Sequence, residues 1–363
     1  MMRFKTLLKH PADWMTGHGA ETSVVLTSRV RLARNISDSP FPGWARKVQR
    51  RGVMTEIQKH VGELSPMKDS FSHELSDLDS LQKQVLVERH LISREQAARN
   101  EGSATVVNRK QSLSLMINEE DHLRIQAIQP SLNLDAAYQL AREVDEGLEE
   151  KLAFAFHPSW GYLTACPTNL GTGMRASAML HLPGLVLSDQ IGQVLKGIAK
   201  LGLAVRGLYG EGTESLGNLY QISNQSTLGE SEKDILERLT RVIGDVARYE
   251  TQARAKLFAE DPLMVRDRIG RATGILSYAR IISSKEALNH LSMLRLGADL
   301  GVLPSSLVEV CDRLFMETQP AHLQWSAGKK LQPDARDALR AQMIRDQLQS
   351  DLPPAIDISG KDN

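Results

Sequence analysis

The stretch SATVVNRKQSLSLMI, residues 103–117, decides the fold class. It holds two runs rich in β-branched and apolar residues, 103–108 and 111–117, with only Arg109 and Lys110 between them. Runs this close can pair only as a hairpin, because a parallel crossover needs about a dozen residues. The stretch therefore predicts antiparallel strands, and we expect an α+β fold rather than a doubly wound parallel sheet.

Further strand-like runs lie on both sides of this hairpin. They alternate with glycine-rich turns and a few helical stretches, and they read SVVLTSRVRLAR (23–34), WGYLTAC (160–166), LAVRGLYG (203–210) and NLYQISN (218–224). We expect them to form an antiparallel sheet flanked by helices, in a domain over residues 24–254 that follows an N-terminal extension over residues 1–23.

From about residue 231 the pattern becomes that of helices. Residues 231–260 carry apolar side chains at three- and four-residue spacing with charged residues between them. Ser283 with Glu286, and Ser306 with Glu309, have the spacing of a capping box, so helices should begin near residues 284 and 307. The sequence predicts an all-α helical bundle domain over residues 255–350 and a flexible tail over 351–363.

Composition excludes several classes of protein. Lys and Arg total 44, as do Asp and Glu, so no overall charge draws the chain to nucleic acid or to an anionic membrane. Cys166 and Cys311 lack the spacing of a zinc site or a disulfide framework, which indicates a reducing compartment. No secretory leader pattern and no run of about 18 apolar residues occurs. We expect a cytoplasmic protein.

Two of four polar clusters lie in or beside predicted strands. In Ser28–Arg31, alternation points Arg29 and Arg31 to one face about 7 Å apart, where they repel unless an anion lies between them; a solvated edge strand with salt-bridged arginines is the alternative. In residues 118–124, NEEDHLR, three successive carboxylates repel unless they meet water, a metal or a cation. An exposed acidic turn explains that run equally well.

The other two clusters are rich in glycine. In residues 161–177, GYLTACPTNLGTGMRAS, we expect a loop followed by a helix beginning near Met174, whose free N–H groups and Arg175 would bind an anion. A tight turn is the alternative, and Cys166 alone is typical of a small buried side chain. Residues 206–214, RGLYGEGTE, place Glu211 on a loop. Arginines at element ends beside two acidic groups suit a nucleoside triphosphate, although Walker, HRD and DFG signatures are absent.

The motifs NEEDHLR, CPTNLGTGMRAS and RGLYGE together resemble, in order, the phosphagen kinase catalytic domain of creatine and arginine kinases. The resemblance covers about residues 24–254 and implies ATP as the phosphoryl donor. Five arginines would hold its phosphates, and His90 would lie near the adenine. The implied ATP-binding residues are Ser28, Arg29, Val30, Arg31, His90, Arg124, Arg175, Ala176, Ser177, Ala178, Met179, Arg206, Gly207, Leu208, Tyr209, Gly210 and Glu211.

The resemblance also makes Glu120 and Glu211 the pair of carboxylates that grip a substrate guanidinium, with Cys166 as a thiolate beside it. An arginine pKa near 13.8 and a glutamate pKa near 4.3 make full deprotonation before attack cost about 13 kcal/mol. Proton transfer must therefore accompany phosphoryl transfer, while the carboxylates align the nitrogen and Mg²⁺ offsets charge on the phosphates.

The ends of the chain narrow the resemblance to bacterial protein-arginine kinases. Only 23 residues precede residue 24, where creatine-type enzymes carry a helical domain, and the C-terminal helical region has no counterpart in them. The resemblance implies arginine side chains of proteins as substrates, among them a stress-gene repressor and misfolded proteins marked for a Clp protease. It further implies a zinc-binding activator protein, a homodimer through the helical domain, and no direct nucleic-acid or membrane partner.

A further motif, Arg336–Ala341, fits the RDxxRA signature of the phosphoarginine-binding site of those kinases. Arg336 and Arg340 are four residues apart, so a helix would place them on one face to hold a dianionic phosphate, with Asp337 to meet a guanidinium and Ala341 completing the motif. A solvated helix face is the alternative. The resemblance implies that this site is allosteric.

Two other functions remain open at this stage. One is a kinase for a small guanidino compound, which coupled assays with free arginine or creatine would reveal, and the other is a non-catalytic phosphoarginine-binding adaptor. If Glu211 serves as a catalytic carboxylate, Glu211→Gln should abolish phosphoryl transfer and leave ATP binding largely intact. Steady-state turnover and ATP titration measure the two effects, and unaltered turnover would contradict the assignment.

Overall fold

The computed structural model describes residues 2–9, 12, 24–207 and 215–351. Its strands are β1 (Val25–Arg34), β2 (Phe71–Glu74), β3 (Ala104–Val107), β4 (Leu113–Ile117), β5 (Leu123–Pro130), β6 (Phe156–His157), β7 (Gly161–Tyr162), β8 (Met174–His181), β9 (Leu203–Gly207) and β10 (Leu219–Asn224). Its helices are α1 (Phe4–Leu7), α2 (Lys47–Glu63), α3 (Ser80–Glu88), α4 (Arg94–Ala97), α5 (Leu134–Glu149), α6 (Pro183–Leu187), α7 (Ile191–Lys200), α8 (Glu232–Glu260), α9 (Pro262–Tyr278), α10 (Ser284–Asp299), α11 (Leu307–Glu317), α12 (Pro320–Ala327) and α13 (Pro333–Leu348).

Eight strands form one sheet in the order β2-β3-β4-β5-β1-β8-β10-β9. The expected hairpin is present, because β3 and β4 pair antiparallel with Ala104 opposite Ile117. β1 lies inside the sheet and pairs antiparallel with both β5 and β8. The α+β fold and the antiparallel sheet predicted from residues 103–117 are confirmed.

The two faces of β1 differ in chemistry. Val30 and Leu32 are buried, whereas Arg29 and Arg31 are half-buried on the opposite face. Helix α5 packs against β1 and β5, and its apolar stripe of Ala137, Ala141 and Val144 is fully buried. The alternation read from the sequence therefore holds: one side of the strand serves the core and the other presents guanidinium groups.

The helix expected near Met174 is wrong. Residues 174–181 form β8, whose register with β1 places Arg175 opposite Arg31 and Ser177 opposite Arg29. The short run RASAM has a composition that a helix also accepts, but the unpaired edge of β1 supplies backbone partners, and tertiary pairing overrides local propensity. Arg175 consequently points from a strand and not from the first turn of a helix.

The chain divides into two compact units. The first consists of Met1–Leu180, Gly192–Arg206 and Tyr220–Arg248, and the second of His181–Ile191, Gly207–Leu219 and Tyr249–Asn363. The second unit thus includes two segments that lie before residue 254, so the domain boundaries expected from the sequence stay a prediction. No helix in the described ranges has the length and apolar character needed to cross a bilayer.

The second unit contains the helices expected from the capping patterns. α10 begins at Ser284, where the Ser283 hydroxyl accepts a hydrogen bond from the Glu286 N–H at 3.2 Å. α11 begins at Leu307, but Ser306 makes no cap and instead donates to Asp351 at 2.6 Å. Both predicted helix starts are confirmed, although only the first uses the predicted cap.

A buried ionic network crosses the interior of the second unit. Glu250 accepts hydrogen bonds from the N–H groups of Gly184 and Leu185 at 2.7 and 2.8 Å and pairs with Arg254. Arg254 reaches Asp299 at 2.8 Å and donates to the His181 carbonyl at 3.0 Å. Each buried charge here has an opposite charge or several hydrogen bonds, which is the condition for tolerating it away from water.

Removing one member of this network should destabilise the unit. Glu250→Ala leaves Arg254 with less compensation and leaves two buried N–H groups without an acceptor, so we expect a loss of about 3–5 kcal/mol in unfolding free energy. Chemical denaturation monitored by circular dichroism measures the change. Glu260→Ala is the matched control, because its ion pair with Lys256 at 3.8 Å is exposed on both sides and should leave the midpoint nearly unchanged. Equal midpoints for both variants would contradict the network's role.

Candidate active site

Guanidinium groups from three neighbouring strands lie on one face of the sheet. Arg31 of β1 is directly opposite Arg175 of β8, and Arg124 of β5 is opposite Ala33, two residues along the same face of β1. Arg29 precedes on that face and donates to the Gln221 side-chain oxygen at 2.8 Å. The β1 register, which the sequence specifies through its alternation, therefore gathers residues that are up to about half the chain apart.

The charges in this cluster oppose one another. Burial first, and then Arg124 and Arg175, lower the pKa of Arg29 to about 10. Burial and the three neighbouring guanidinium groups lower the pKa of Arg31 well below its ordinary value, and Glu119 opposes this only in part. The buried Nε of Arg31 has no hydrogen-bond partner within the described ranges. Such a cluster is stabilised when a multiply charged anion, such as a polyphosphate, lies among the guanidinium groups.

Arg206 extends this positive field. It is exposed on β9. Burial is the largest cause of the lowered pKa of Arg175, and the positive charge of Arg206 is the next largest. Gly207, the last residue of β9, is half-buried. Leu208, Tyr209, Gly210 and Glu211 lie outside the described residues, so the expected approach of Glu211 to Glu120 stays a prediction.

A cavity of about 200 Å³ brings the arginines to a carboxyl and a thiol. Arg31, Arg124 and Arg175 line it together with Glu120 and Cys166. Burial and the neighbouring Asp121 and Glu119 raise the pKa of Glu120, while Arg124 and a hydrogen bond from Cys166 act in the opposite direction. The Cys166 sulfur also lies 3.0 Å from the Thr168 hydroxyl. We call these five lining residues the phosphoryl site.

The three successive carboxylates at residues 119–121 differ in burial and in their partners. Glu119 is buried and forms an ion pair with Arg124 at 2.8 Å. Asp121, also buried, accepts hydrogen bonds from the Asn35 amide and the Ala165 N–H, both at 2.7 Å. Only Glu120 of the three has a partly exposed side chain, at 43%. The run is therefore not a solvated acidic turn: Glu119 balances Arg124, Asp121 ties residue 165 next to Cys166, and Glu120 lies 3.5 Å from Arg124 with its side chain partly exposed.

Two glycines are required where the loop before β8 approaches other backbone. At Gly171 (φ 109°) a Cβ would lie 2.2 Å from the Thr227 carbonyl oxygen, and at Gly173 (φ 64°) 2.6 Å from the Ala33 carbonyl oxygen. Thr227 fixes the same loop by donating to the carbonyls of Thr168 and Leu170 at 3.0 and 2.7 Å. Sequence reasoning missed Thr227, Asn35 and Asp121 in this supporting role, because no local signal connects them to the loop.

Not every residue in the expected ATP-binding segments faces the phosphoryl site. Ser177 shares the face of Arg175 and, by the same alternation, so does Met179. Four other residues of these segments are buried on the opposite face of β1 and β8, so their side chains do not reach the arginine face. They are Ser28, Val30, Ala176 and Ala178.

His90 adjoins the arginine face through Gln126. Gln126 lies opposite Arg31 in the β1–β5 pairing, and its amide donates to the His90 carbonyl oxygen at 2.7 Å. His90 has a φ of 59°, in the left-handed region, directly after α3. Its position near a bound adenine stays a prediction.

The RDxxRA motif lies on α13 in the second unit. Arg340 is 2% exposed and donates to the carbonyls of Thr318 and Ile282, both at 2.8 Å, and to the Asp337 carboxylate. Arg336 is half-buried, and Ala341 is buried. The alternative of a solvated helix face is wrong for Arg340, since much of its guanidinium is committed to the protein, and Arg336 is the more accessible arginine.

Comparison with known proteins agrees with this geometry. The model of the family described as ATP:guanido phosphotransferase, C-terminal catalytic domain, matches residues 52–253, and that of the protein-arginine kinase McsB C-terminal domain matches residues 262–357. A protein-arginine kinase of Halothermothrix orenii is 46% identical over 348 residues, which cover 96% of this chain and 99% of that protein. One of Brevibacillus brevis is 44% identical over 351 residues, covering 96% and 98%.

Solved structures show the same fold. A lombricine kinase superposes with a TM-score of 0.57 at 25% identity, over 68% of this chain and 72% of that one. The duplicated taurocyamine kinase of Schistosoma mansoni gives a TM-score of 0.59 at 23% identity, over 77% and 42%, a likeness of fold alone. The resemblance identified from the three motifs is confirmed, and the chain belongs to the protein-arginine kinase family of ATP:guanido phosphotransferases.

Proposed function

We propose that this enzyme transfers the γ-phosphoryl group of ATP to an arginine side chain of another protein. The family implies the use of ATP, and the similar curated proteins are named protein-arginine kinases. The observation that carries the proposal is the phosphoryl site, where three mutually repelling guanidinium groups and one partly exposed carboxyl line the same cavity.

The arginines would bind and neutralise the triphosphate. Arg31, Arg124 and Arg175 line the cavity and Arg206 adds to the field around it, so phosphate oxygens would relieve the repulsion among these guanidinium groups. Mg²⁺, when bound to the phosphate oxygens, would offset the charge that develops on the transferring group. Because the sheet holds the guanidinium groups in place beforehand, little reorganisation is needed during the reaction.

Glu120 would orient the acceptor. Its ionised carboxylate can accept two hydrogen bonds from a guanidinium, a bidentate geometry that fixes the attacking nitrogen. Glu211 would hold the other side of the acceptor. As the N–P bond forms and the bond to the ADP oxygen breaks, the proton of the attacking nitrogen passes to a carboxylate. Cys166, which lines the same cavity as Glu120, would lie beside the acceptor guanidinium.

The remaining expectations concern regulation and partners. Arg336 with Asp337, Arg340 and Ala341 would bind phosphoarginine in the second unit and regulate the enzyme. A homodimer through the helical domain, a zinc-binding activator protein, and substrates that include a stress-gene repressor and misfolded proteins destined for a Clp protease complete the proposal. We place this activity in the cytoplasm.

The acceptor class is tested by direct phosphorylation. Incubation of the enzyme with ATP, Mg²⁺ and an arginine-rich protein should give phosphate that is lost in acid and retained in base, because the P–N bond of phosphoarginine is acid-labile. Mass spectrometry under conditions that spare phosphoarginine assigns the label. Free arginine and creatine serve as competing acceptors, and label on these alone would contradict a protein substrate.

The pH dependence of turnover tests Glu120. Its pKa is raised above the ordinary glutamate value, and only the ionised form grips a guanidinium, so kcat/KM should rise with pH through that raised pKa. Glu120→Gln should remove this limb and lower kcat by about 10²- to 10⁴-fold, while the Kd for ATP changes little. Glu143→Gln, an exposed site on α5, is the control. An unchanged profile in Glu120→Gln would exclude this role.

A further inference from the structure

A second, larger cavity adjoins the phosphoryl site. It has a volume of about 500 Å³, and its lining includes Phe41, Trp44, Glu95, Arg99, Glu120 and Arg124. The two cavities share Glu120 and Arg124. A molecule in the larger cavity would therefore be in contact with the carboxylate that receives the acceptor guanidinium.

The most unusual feature of this cavity is Trp44 on its rim. Its residue surface is 89% exposed, and a tryptophan left this far in water forgoes the large burial energy of an indole. The exposure does not come from a loose backbone: the N–H groups of Trp44 and Ala45 donate to the Phe41 carbonyl at 2.8 and 2.9 Å. Arg50 caps the turn by donating to the Ala45 carbonyl at 2.9 Å. The indole is thus presented on an ordered turn.

That turn is fastened to the motif that carries Glu120. The buried His122 accepts from the Ile36 N–H at 3.1 Å, so its other nitrogen carries the proton and lies 3.1 Å from the Pro40 carbonyl. Burial lowers the pKa of His122 and keeps it neutral, and Phe41 packs edge-on against its ring with centroids 6.2 Å apart. Two residues beyond Glu120, His122 therefore fixes the position of Trp44 relative to the acceptor site.

The lining of this cavity also carries negative charge. Glu95 is exposed, and its side chain makes no hydrogen bond or ion pair with any part of the chain that the structure describes. Both guanidinium groups of the lining have partners: Arg99 donates to the Glu119 carbonyl at 2.8 Å, and Arg124 pairs with Glu119 at 2.8 Å and with Glu120 at 3.5 Å. The three carboxylates of the lining, Glu95, Glu119 and Glu120, outnumber its two guanidinium groups, so the lining has a net charge of −1, which complements a basic ligand.

We propose that this cavity is the docking surface for the polypeptide segment that carries the acceptor arginine. The indole of Trp44 packs against the residues that flank the arginine, and Glu95 favours a basic neighbour. A guanidinium alone is served by Glu120, so the extra volume, the ordered aromatic rim and the second carboxylate have a use only when chain continues on either side of the acceptor. This inference rests on the proposed function and names how its substrate class is recognised.

Kinetics of a Trp44→Ala variant test the proposal. With a short peptide that carries one central arginine, we expect the peptide KM to rise about tenfold or more, the usual effect of removing a hot-spot aromatic. The values of kcat and of the ATP KM should stay unchanged, because Trp44 lies outside the lining of the phosphoryl site. Trp44→Phe should restore much of the peptide affinity. Trp160→Ala is the matched control, since Trp160 is 56% exposed and lies outside the lining of both cavities.

A second variant tests the charge. Glu95→Gln should reduce the preference of the enzyme for a peptide with lysine beside the arginine over one with aspartate there, without changing the ATP KM. An unchanged peptide KM in Trp44→Ala would overturn the docking surface, as would equal losses of peptide and ATP affinity. The proposed function would stand in that case if the unaltered enzyme phosphorylates the peptide, and it would fail by itself if the enzyme accepts only free guanidino compounds.

Discussion

Mutual repulsion among guanidinium groups on one face of a sheet is the constraint around which the first unit is arranged. β1 is buried on its other face and paired on both edges, so Arg29 and Arg31 cannot turn away from Arg124 and Arg175 without breaking the alternation of the strand. Burial, and after it the neighbouring guanidinium groups, lower the pKa values of Arg29 and Arg31. Burial of the apolar face thus stabilises a strand whose other face carries crowded positive charge. A bound polyanion would reduce the repulsion among these guanidinium groups.

The acidic motif that follows β4 supplies the counterpart to this positive face. Its neighbours share one short run but have separate tasks: Glu119 neutralises Arg124, Asp121 fastens residue 165, and His122 holds the turn that carries Trp44. Because these three are buried and bonded, Glu120 is held at the junction of the two cavities. A single turn therefore positions both the candidate carboxylate and the rim of the proposed docking surface.

Buried arginines have a different part in the second unit. There Arg254 and Arg295 are paired with carboxylates, so their charges are balanced within the protein. Arg31 differs from them, because its buried Nε has no hydrogen-bond partner in the described part of the chain. The paired arginines stabilise the fold, whereas Arg31 is available to a ligand.

The sequence by itself determined the features that depend on local pattern. A two-residue separation set the hairpin, alternation put Arg29 and Arg31 on one face, and three ordered motifs identified the family. Tertiary structure decided what pairing over long distances controls: residues 174–181 became a strand because β1 offered a free edge, and Thr227 and Asn35 joined the site from remote positions. It also decided that Arg340 is buried and that Trp44 stays on the surface, because burial depends on which distant segments pack against a side chain, and spacing along the chain does not contain that information.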